Sequence, residues 1–311
     1  MEISKESSFL MSKSRGRLRR CGLKVLRPIS VMLPYGLRKT LRRYVRDELA
    51  LYEADAVFIS FPKSGRTWVR VMLSRLYQLR YALPEQTLLE FDNLHRINAE
   101  IPRILFTHDG DSMKRPYQLN ADKRKYAGKK VVLLVRNPID VVVSRYFHLR
   151  HRSRDRHRRA YGRMPIEEFV WAPVGCLPTV VAFMNDWDRA RCVMPDLLIL
   201  RYEDFWAEPE RTLGKLACFL EVDSSAHDIK DAVEFAALEN LRQREAAGFF
   251  PTARLGPRQA GNPESFKVRK GKVGGYRDYF SPEHAARLEV FVRTQLAPGF
   301  GYSDPANILR V

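Results

Sequence analysis

Four short apolar runs recur along the chain, each ending in polar or turn-forming residues. They predict β-strands at residues 57–61, 103–107, 130–135 and 197–201. The runs are continuously apolar rather than alternating, which is typical of strands that are buried on both faces. The pattern therefore predicts the central strands of a mostly parallel sheet.

Between and after the strands, apolar residues return every three or four positions, as they do along the buried face of a helix. This spacing predicts helices at residues 68–80, 141–150, 210–220, 228–236 and 282–296. Strands that alternate with helices predict an α/β fold with helices on both faces of the sheet. A chain of 311 residues can bury one core of this kind, so its length does not require a second domain.

Residues 243–265 break this pattern because they contain three glycines and three prolines. They lie between the last two predicted helices. A loop of this length inside a compact domain is usually functional or mobile, so the composition predicts a lid over a substrate site.

The first predicted strand leads into a tight turn with the sequence Pro-Lys-Ser-Gly-Arg-Thr-Trp at residues 62–68. Free backbone N–H groups and the helix dipole converge where such a turn opens a helix, and Lys63 adds a full positive charge. The turn predicts an anion-binding cradle, although an ordinary turn with a surface lysine would have the same pattern. It is not the common ATP-binding loop, since GxxxxGK[ST] is absent and the lysine precedes the glycine.

The third predicted strand ends in Arg136, and a helix start follows at Pro138 and Asp140. Arg136 at the strand end and Ser144 on the next helix can bind one phosphate from two sides. A satisfied Arg136–Asp140 pair and an ordinary helix serine would fit the pattern equally well. Residues 266–276 combine four basic residues with three glycines, which predicts either a loop that closes over an anion or a solvated basic loop.

Three polar residues, Thr107, His108 and Asp109, end the second predicted strand. The carboxyl ends of parallel strands meet at one edge of a sheet, so we expect these residues close to Lys63. An imidazole there can take a proton from an attacking hydroxyl near neutral pH, with Asp109 as its partner or as the base itself. The alternative is a strand-end histidine that bonds only to the backbone.

The three phosphate motifs, in this order, resemble those of the sulfotransferases, which use 3′-phosphoadenosine 5′-phosphosulfate (PAPS) as donor. The resemblance covers residues 54–300 and implies a P-loop-NTPase-like three-layer sandwich with a central, mostly parallel sheet. It also implies that Lys63 contacts the bridging oxygen and the 5′-phosphate, and that His108 is the general base. The family's other donor contacts match Ser64, Gly65, Arg66 and Thr67 in the first turn, Trp68 and Tyr202 at the adenine, and Arg136, Ser144, Arg269, Lys270 and Gly271 at the 3′-phosphate.

This sequence departs from the family pattern at three places. Phe106 stands where the family's Lys-Thr-His segment has its lysine, which leaves Lys63 as the main cation at the transferring group. Leu238 stands where a Thr-Ser-Phe segment has its phenylalanine, so aliphatic contact would replace stacking on adenine worth about 0.5–1.5 kcal/mol. Tyr276 stands where the family often has the tryptophan of an Asp-Trp pair.

The net charge of +18 is confined to two stretches, with +11 on residues 1–46 and +7 on residues 145–163. We expect residues 1–50 to form a basic N-terminal arm or helical extension, and residues 51–311 to form the sulfotransferase domain. Basic stretches of this kind are usually solvated, but they also bind anionic membranes or polyanionic acceptors. Pro28 and Pro34 would break a long amphipathic helix in the arm.

The sequence lacks the signals of membrane insertion and secretion. No apolar stretch approaches the eighteen or so residues of a membrane span, and residues 1–20 lack the apolar core of a signal peptide. The four cysteines show no Cys-x-x-Cys pairing, which is typical of reduced structural thiols. We therefore expect a cytoplasmic protein, with peripheral membrane contact through the arm as an open alternative.

The sequence leads to one hypothesis and two alternatives. The hypothesis is an enzyme that needs no metal and moves a sulfuryl group in line from PAPS to a hydroxyl acceptor of unknown class. A P-loop nucleotide kinase would share the cradle but would need Mg²⁺. A basic protein that binds nucleic acid or anionic lipid would explain the charge, but not the phosphate motifs at buried strand ends.

Overall fold

The computed structural model describes residues 35–110, 112–153, 156–252, 255 and 271–302 of the chain. All four predicted strands are confirmed, as β1 (Ala56–Ser60), β2 (Ile104–Thr107), β3 (Lys130–Val135) and β4 (Leu197–Arg201). They pair in parallel in the order β2-β1-β3-β4.

Eleven α-helices occupy the described part of the chain, and five of them match the predicted helices. In chain order they are α1 (Tyr35–Glu53), α2 (Arg66–Tyr81), α3 (Pro138–His151), α4 (Arg156–Tyr161), α5 (Ile166–Phe169), α6 (Leu177–Arg189), α7 (Tyr202–Ala207), α8 (Pro209–Phe219), α9 (Ala226–Phe235), α10 (Leu238–Ala246) and α11 (Pro282–Gln295). The predicted ones are α2, α3, α8, α9 and α11. Helices α4, α5 and α7 span at most two turns, too few for a periodic pattern to show.

Successive side chains of the central strands enter two separate apolar cores, because they point to opposite faces of the sheet. On one face, Val57 and Ile59 pack in a core with residues of α3, α6 and α11. On the other face, Phe58 packs in a core with residues of α2, α8 and α9. The predicted three-layer sandwich with a central parallel sheet is confirmed.

The site position follows from the strand order. Strand β1 lies between β2 and β3, so the connections on its two sides diverge there. Ligands of open parallel sheets bind in the crevice at the carboxyl ends of the strands where this happens. Those ends carry the turn with Lys63 after β1, His108 after β2 and Arg136 after β3.

The structure corrects the extent of the predicted lid at residues 243–265. Residues 243–246 belong to α10, whose polar sequence gives little helical periodicity, so this part of the loop prediction is wrong. Of the remainder, the structure describes residues 247–252 and 255. Leu255 is buried in the same core as Leu241 of α10, so this described residue packs as part of the domain.

Helix α1 runs through the expected boundary at residue 50, and Leu51 packs in the core. The first 34 residues of the expected basic arm lie outside the described residues. Among the described helices, none combines the length and the apolar character that crossing a bilayer requires.

Candidate active site

The turn between β1 and α2 holds Lys63 and Gly65 in left-handed backbone conformations, with φ of 79° and 95°. Gly65 caps α2, and its carbonyl accepts hydrogen bonds from the N–H groups of Trp68 at 2.9 Å and Val69 at 3.3 Å. The N–H groups that precede these have no partner within the helix and lie at its positive end. The turn therefore has the geometry of an anion cradle. For Lys63, which is not glycine, this conformation costs of order 1 kcal/mol, a strain typical of ligand-binding turns.

Gly65 also allows a close approach between this turn and the start of α7. A Cβ atom on Gly65 would lie 2.4 Å from Cδ2 of Tyr202, closer than real Cβ atoms come to any neighbour. The glycine is thus required twice, for its positive φ and for the ring packed against it.

Replacing Gly65 by alanine should lower the free energy of unfolding by about 1–3 kcal/mol through overpacking and further through backbone strain. We expect 3′-phosphoadenosine 5′-phosphate (PAP), the product left by PAPS, to bind much more weakly because the cradle must open. Thermal unfolding with and without PAP measures both effects. Gly110→Ala is the matched control, since Gly110 has φ of 108° but open space within 4 Å of the added Cβ. Equal losses in both variants would mean that the Tyr202 contact is irrelevant.

A buried carboxylate fixes the turn between β3 and α3. The backbone N–H of Asn137 donates to Oε1 of Glu203 at 2.9 Å, and the hydroxyl of Tyr302 donates to Oε2 at 2.6 Å. Burial raises the pKa of Glu203, while its hydrogen bonds from Tyr302 and Asn137 oppose the shift. The side chain of Asn137 caps α3 by accepting from the N–H of Ile139 at 2.9 Å. Glu203 lies outside the phosphate motifs, so no local sequence pattern indicates this role.

Arg136 is held at the site by long contacts. Its guanidinium lies 4.2 Å from the ring centre of Tyr202 and 3.7 Å from the carboxylate of Asp140. It donates to the carbonyls of Lys63 at 3.4 Å and Lys272 at 3.3 Å. Its Nε–H is buried and has no hydrogen-bond partner in the described part of the chain. A buried donor of this kind is costly, and a bound phosphate would satisfy it, so the site fits an anion.

Asp140 ties the end of the basic C-terminal loop to α3. Its carboxylate accepts from the backbone N–H groups of Gly274 at 2.8 Å and Tyr276 at 3.0 Å. Burial raises the pKa of Asp140, against the opposing effects of Arg136 and these two donors. The loop is therefore anchored here without the family's Asp-Trp pair. Arg269 and Lys270, expected at the 3′-phosphate, lie outside the described residues, whereas Gly271 lies at the site.

An aromatic group lies beside the cradle. The rings of Trp68 and Tyr202 are 5.5 Å apart and those of Trp68 and Trp206 are 5.4 Å apart, between centroids. Nε1 of Trp68 donates to the carbonyl of Ala236 at 2.7 Å, two residues before Leu238, which also lines the site. Sequence reasoning missed Trp206. Its spacing of four residues from Tyr202 on one helix could have revealed it, since such residues share a face.

His108 makes a hydrogen bond through each ring nitrogen. Nδ1 lies 2.7 Å from the carbonyl oxygen of Ser60, and Nε2 lies 2.8 Å from Nη2 of Arg66. A carbonyl only accepts and a guanidinium only donates, so the proton is assigned to Nδ1 and the lone pair to Nε2. His108 is thus a neutral imidazole with its basic nitrogen toward Arg66.

Asp109, the predicted partner of His108 or alternative base, bonds to other residues. Its carboxylate accepts from Nζ of Lys123 at 2.6 Å and from the hydroxyl of Tyr126 at 2.8 Å, and it does not line the cavity. Phe106 occupies the position of the family lysine. Its ring packs against that of Phe58, with ring centres 5.3 Å apart.

A cavity of about 360 Å³ joins these elements. The expected site residues that line it are Lys63, Gly65, Arg66, Thr67, Trp68, His108, Arg136, Ser144, Tyr202 and Gly271. Ser64 is buried behind the lining. Further lining residues, not expected from the sequence, are Trp206, His148, Leu149, Ser153, Leu241 and Leu255. No cluster of three or more His, Cys, Asp or Glu within the described ranges could hold a metal ion.

Comparisons with known proteins agree with this geometry. The family model of the Sulfotransferase domain matches residues 53–299. Human Sulfotransferase 2A1 is 22% identical over 84% of this chain and 91% of its own length. Cytosolic sulfotransferase 7 of Arabidopsis thaliana is 24% identical over 74% and 75%. The crystal structure of mouse sulfotransferase SULT7A1 with PAP superposes with a TM-score of 0.52 at 18% identity, covering 78% of this chain and 84% of that one. The chain belongs to the sulfotransferase family, the enzymes that transfer a sulfuryl group from PAPS.

Proposed function

We propose that this enzyme transfers the sulfuryl group of PAPS to a hydroxyl acceptor, with Lys63 at the leaving phosphate and His108 as the general base. The observation that carries this proposal is that one cavity contains Lys63, Arg136 and His108, delivered by three adjacent parallel strands. A cation, a phosphate-binding arginine and a neutral imidazole are the groups that the reaction requires.

On the donor side, the cradle at Lys63 would bind the 5′-phosphate and Arg136 with Ser144 the 3′-phosphate. The buried Nε–H of Arg136 supports this assignment, because the described residues give it no partner. Trp68, Tyr202, Trp206 and Leu238 would enclose the adenine, the last by aliphatic contact.

On the acceptor side, the hydroxyl oxygen forms the new bond to sulfur. The bond between sulfur and the bridging oxygen breaks, and its electron pair stays on the 5′-phosphate next to Lys63. The proton of the hydroxyl passes to Nε2 of His108 and then to solvent. Leu149, Leu241 and Leu255 line the same cavity and give it apolar walls.

PAP should raise the melting temperature of the protein far more than ATP at the same concentration, because only PAP carries a 3′-phosphate. Arg136→Ala should remove this preference by deleting a charge-assisted contact of about 1.5–3 kcal/mol. Arg136→Lys, which keeps the charge, should retain part of it. Arg124→Ala is the control, since Arg124 is exposed and pairs with Asp122 outside the cavity. Equal stabilisation of the wild type by ATP and PAP would refute the donor assignment.

We also propose that residues 1–50 include a basic arm that holds this cytoplasmic enzyme at anionic membranes. The +11 charge of residues 1–46 supports the arm, and the relative named a cytosolic sulfotransferase supports the location. Deleting residues 1–34 spares α1 and its core residue Leu51. It should abolish sedimentation with phosphatidylserine vesicles and leave PAP binding intact. Unchanged sedimentation of the truncated chain would exclude a membrane role for these residues.

A further inference from the structure

We infer that Arg66 controls when His108 becomes a base. Its guanidinium donates a hydrogen bond to the Nε2 lone pair of His108, and it leaves that lone pair when the sulfuryl oxygens of a bound donor accept its N–H groups. Arg66 is therefore a positioning residue for the reaction, beyond its place in the phosphate cradle. The inference rests on the proposed role of His108 as the base.

The geometry behind this inference is the pair of hydrogen bonds at His108. The carbonyl of Ser60, 2.7 Å away, fixes the proton on Nδ1, so Nε2 is the only ring nitrogen that can accept another proton. Arg66 Nη2 is 2.8 Å from Nε2 and donates to it. Once Nε2 is protonated, it and the guanidinium are both donors and both positive, so their hydrogen bond is replaced by repulsion. Proton transfer from an acceptor thus requires Arg66 to move.

Arg66 is placed so that its side chain can move from His108 to a bound donor. It is the first residue of α2, directly after Gly65, and it lines the same cavity as Lys63 and His108. The transferring sulfuryl group lies beside Lys63 in the proposed reaction, so its anionic oxygens are within the reach of this cradle. A charge-assisted bond from Arg66 to a sulfuryl oxygen replaces its bond to a neutral imidazole, and charged acceptors form the stronger bonds.

The same movement explains how the site works with Phe106 in place of a lysine. Phe106 packs against Phe58 and under the guanidinium of Arg70, which is 4.0 Å from its ring centre, so this position supplies no cation to the reaction. Arg66 then stands beside Lys63 as the second positive group at the sulfuryl oxygens, where negative charge must be stabilised in the transition state. The same movement of Arg66 therefore frees Nε2 of His108 to accept a proton and stabilises the transferring sulfuryl group.

The first test needs no acceptor. Diethylpyrocarbonate acylates a free imidazole lone pair, and mass spectrometry of peptides measures the rate at each histidine. Arg66→Met should raise the labelling rate of His108 at least about tenfold, since a bond from a charged donor no longer has to break first. His95 is the matched internal control, because it is also half-buried and its Nδ1 bonds to the carbonyl of Ile101 at 2.7 Å. Equal labelling of His108 in both proteins would overturn the inference.

The second test separates Arg66 from an ordinary donor ligand. PAP lacks the sulfuryl group, so Arg66→Met should weaken PAP binding much less than it lowers kcat, which we expect to fall about 10–100-fold. Arg66→Lys, which keeps a cation, should recover part of the loss and guards against misfolding as the cause. A loss of PAP affinity as large as the loss of kcat would overturn the inference. Failure of the wild type to bind PAP would instead refute the proposed function, and the labelling result would still stand.

Discussion

Replacing His108 by alanine should lower turnover by about 10²–10⁴-fold, the usual contribution of a positioned general base. PAP affinity should stay nearly unchanged, because both ring nitrogens of His108 form their hydrogen bonds within the protein, with Ser60 and Arg66. Initial rates with saturating PAPS and an acceptor found by screening for PAP release measure the first effect. Calorimetric titration with PAP measures the second.

His95→Ala is the control for this variant, since it removes a similar backbone-bonded histidine that does not line the cavity. It should retain wild-type turnover. Turnover of His108→Ala near the wild-type rate would make His108 a structural residue. The base would then have to come from the acceptor itself or from another lining residue such as His148, because Asp109 does not line the cavity.

Lys63→Met should lower turnover by about 10²–10³-fold, the range for removing one donor aimed at developing charge. In contrast to His108, its loss should also weaken PAP binding, since the ammonium attracts the 5′-phosphate in both the ground state and the transition state. Methionine keeps the aliphatic chain and isolates the charge. Rates at saturating PAPS and the dissociation constant of PAP separate the two contributions.

Lys63→Arg tests whether charge alone is sufficient. A compact ammonium and a planar guanidinium differ in geometry, so we expect this variant to recover PAP binding better than turnover. Lys215→Met is a control for general loss of positive charge, because Lys215 lies on α8 and does not line the cavity. If Lys63→Met lowered neither turnover nor PAP affinity, another cation would have to neutralise the leaving phosphate, and Arg66 would be the first to examine.

Much of this site could be predicted because its signals are local in sequence. Two short patterns fix backbone direction and charge within a few residues. One is a buried strand followed by Lys63 and Gly65, and the other is a buried strand followed by Arg136. Parallel strands then bring their carboxyl ends together whatever the details of the core. The order of the motifs was enough to indicate the family, which the match over residues 53–299 confirms.

The short helices and Trp206 could not be predicted with the same ease. Helix α7, for example, spans only Tyr202–Ala207, so tertiary packing rather than periodicity determines it. The predicted lid wrongly includes residues 243–246, the end of α10, because this mostly polar helix shows little helical periodicity, yet Leu241 anchors it in the core.

The sequence by itself determined the parallel α/β sheet, the anion cradle and the groups that we propose for donor binding and sulfuryl transfer, since each depends on residues adjacent in the chain. Tertiary structure alone decided how those groups are paired. Arg66 reaches His108 across 42 positions, and Asp140 anchors Gly274 across 134. The physical reason is that a hydrogen bond depends on distances of a few tenths of an ångström and on direction, which only the packed core defines.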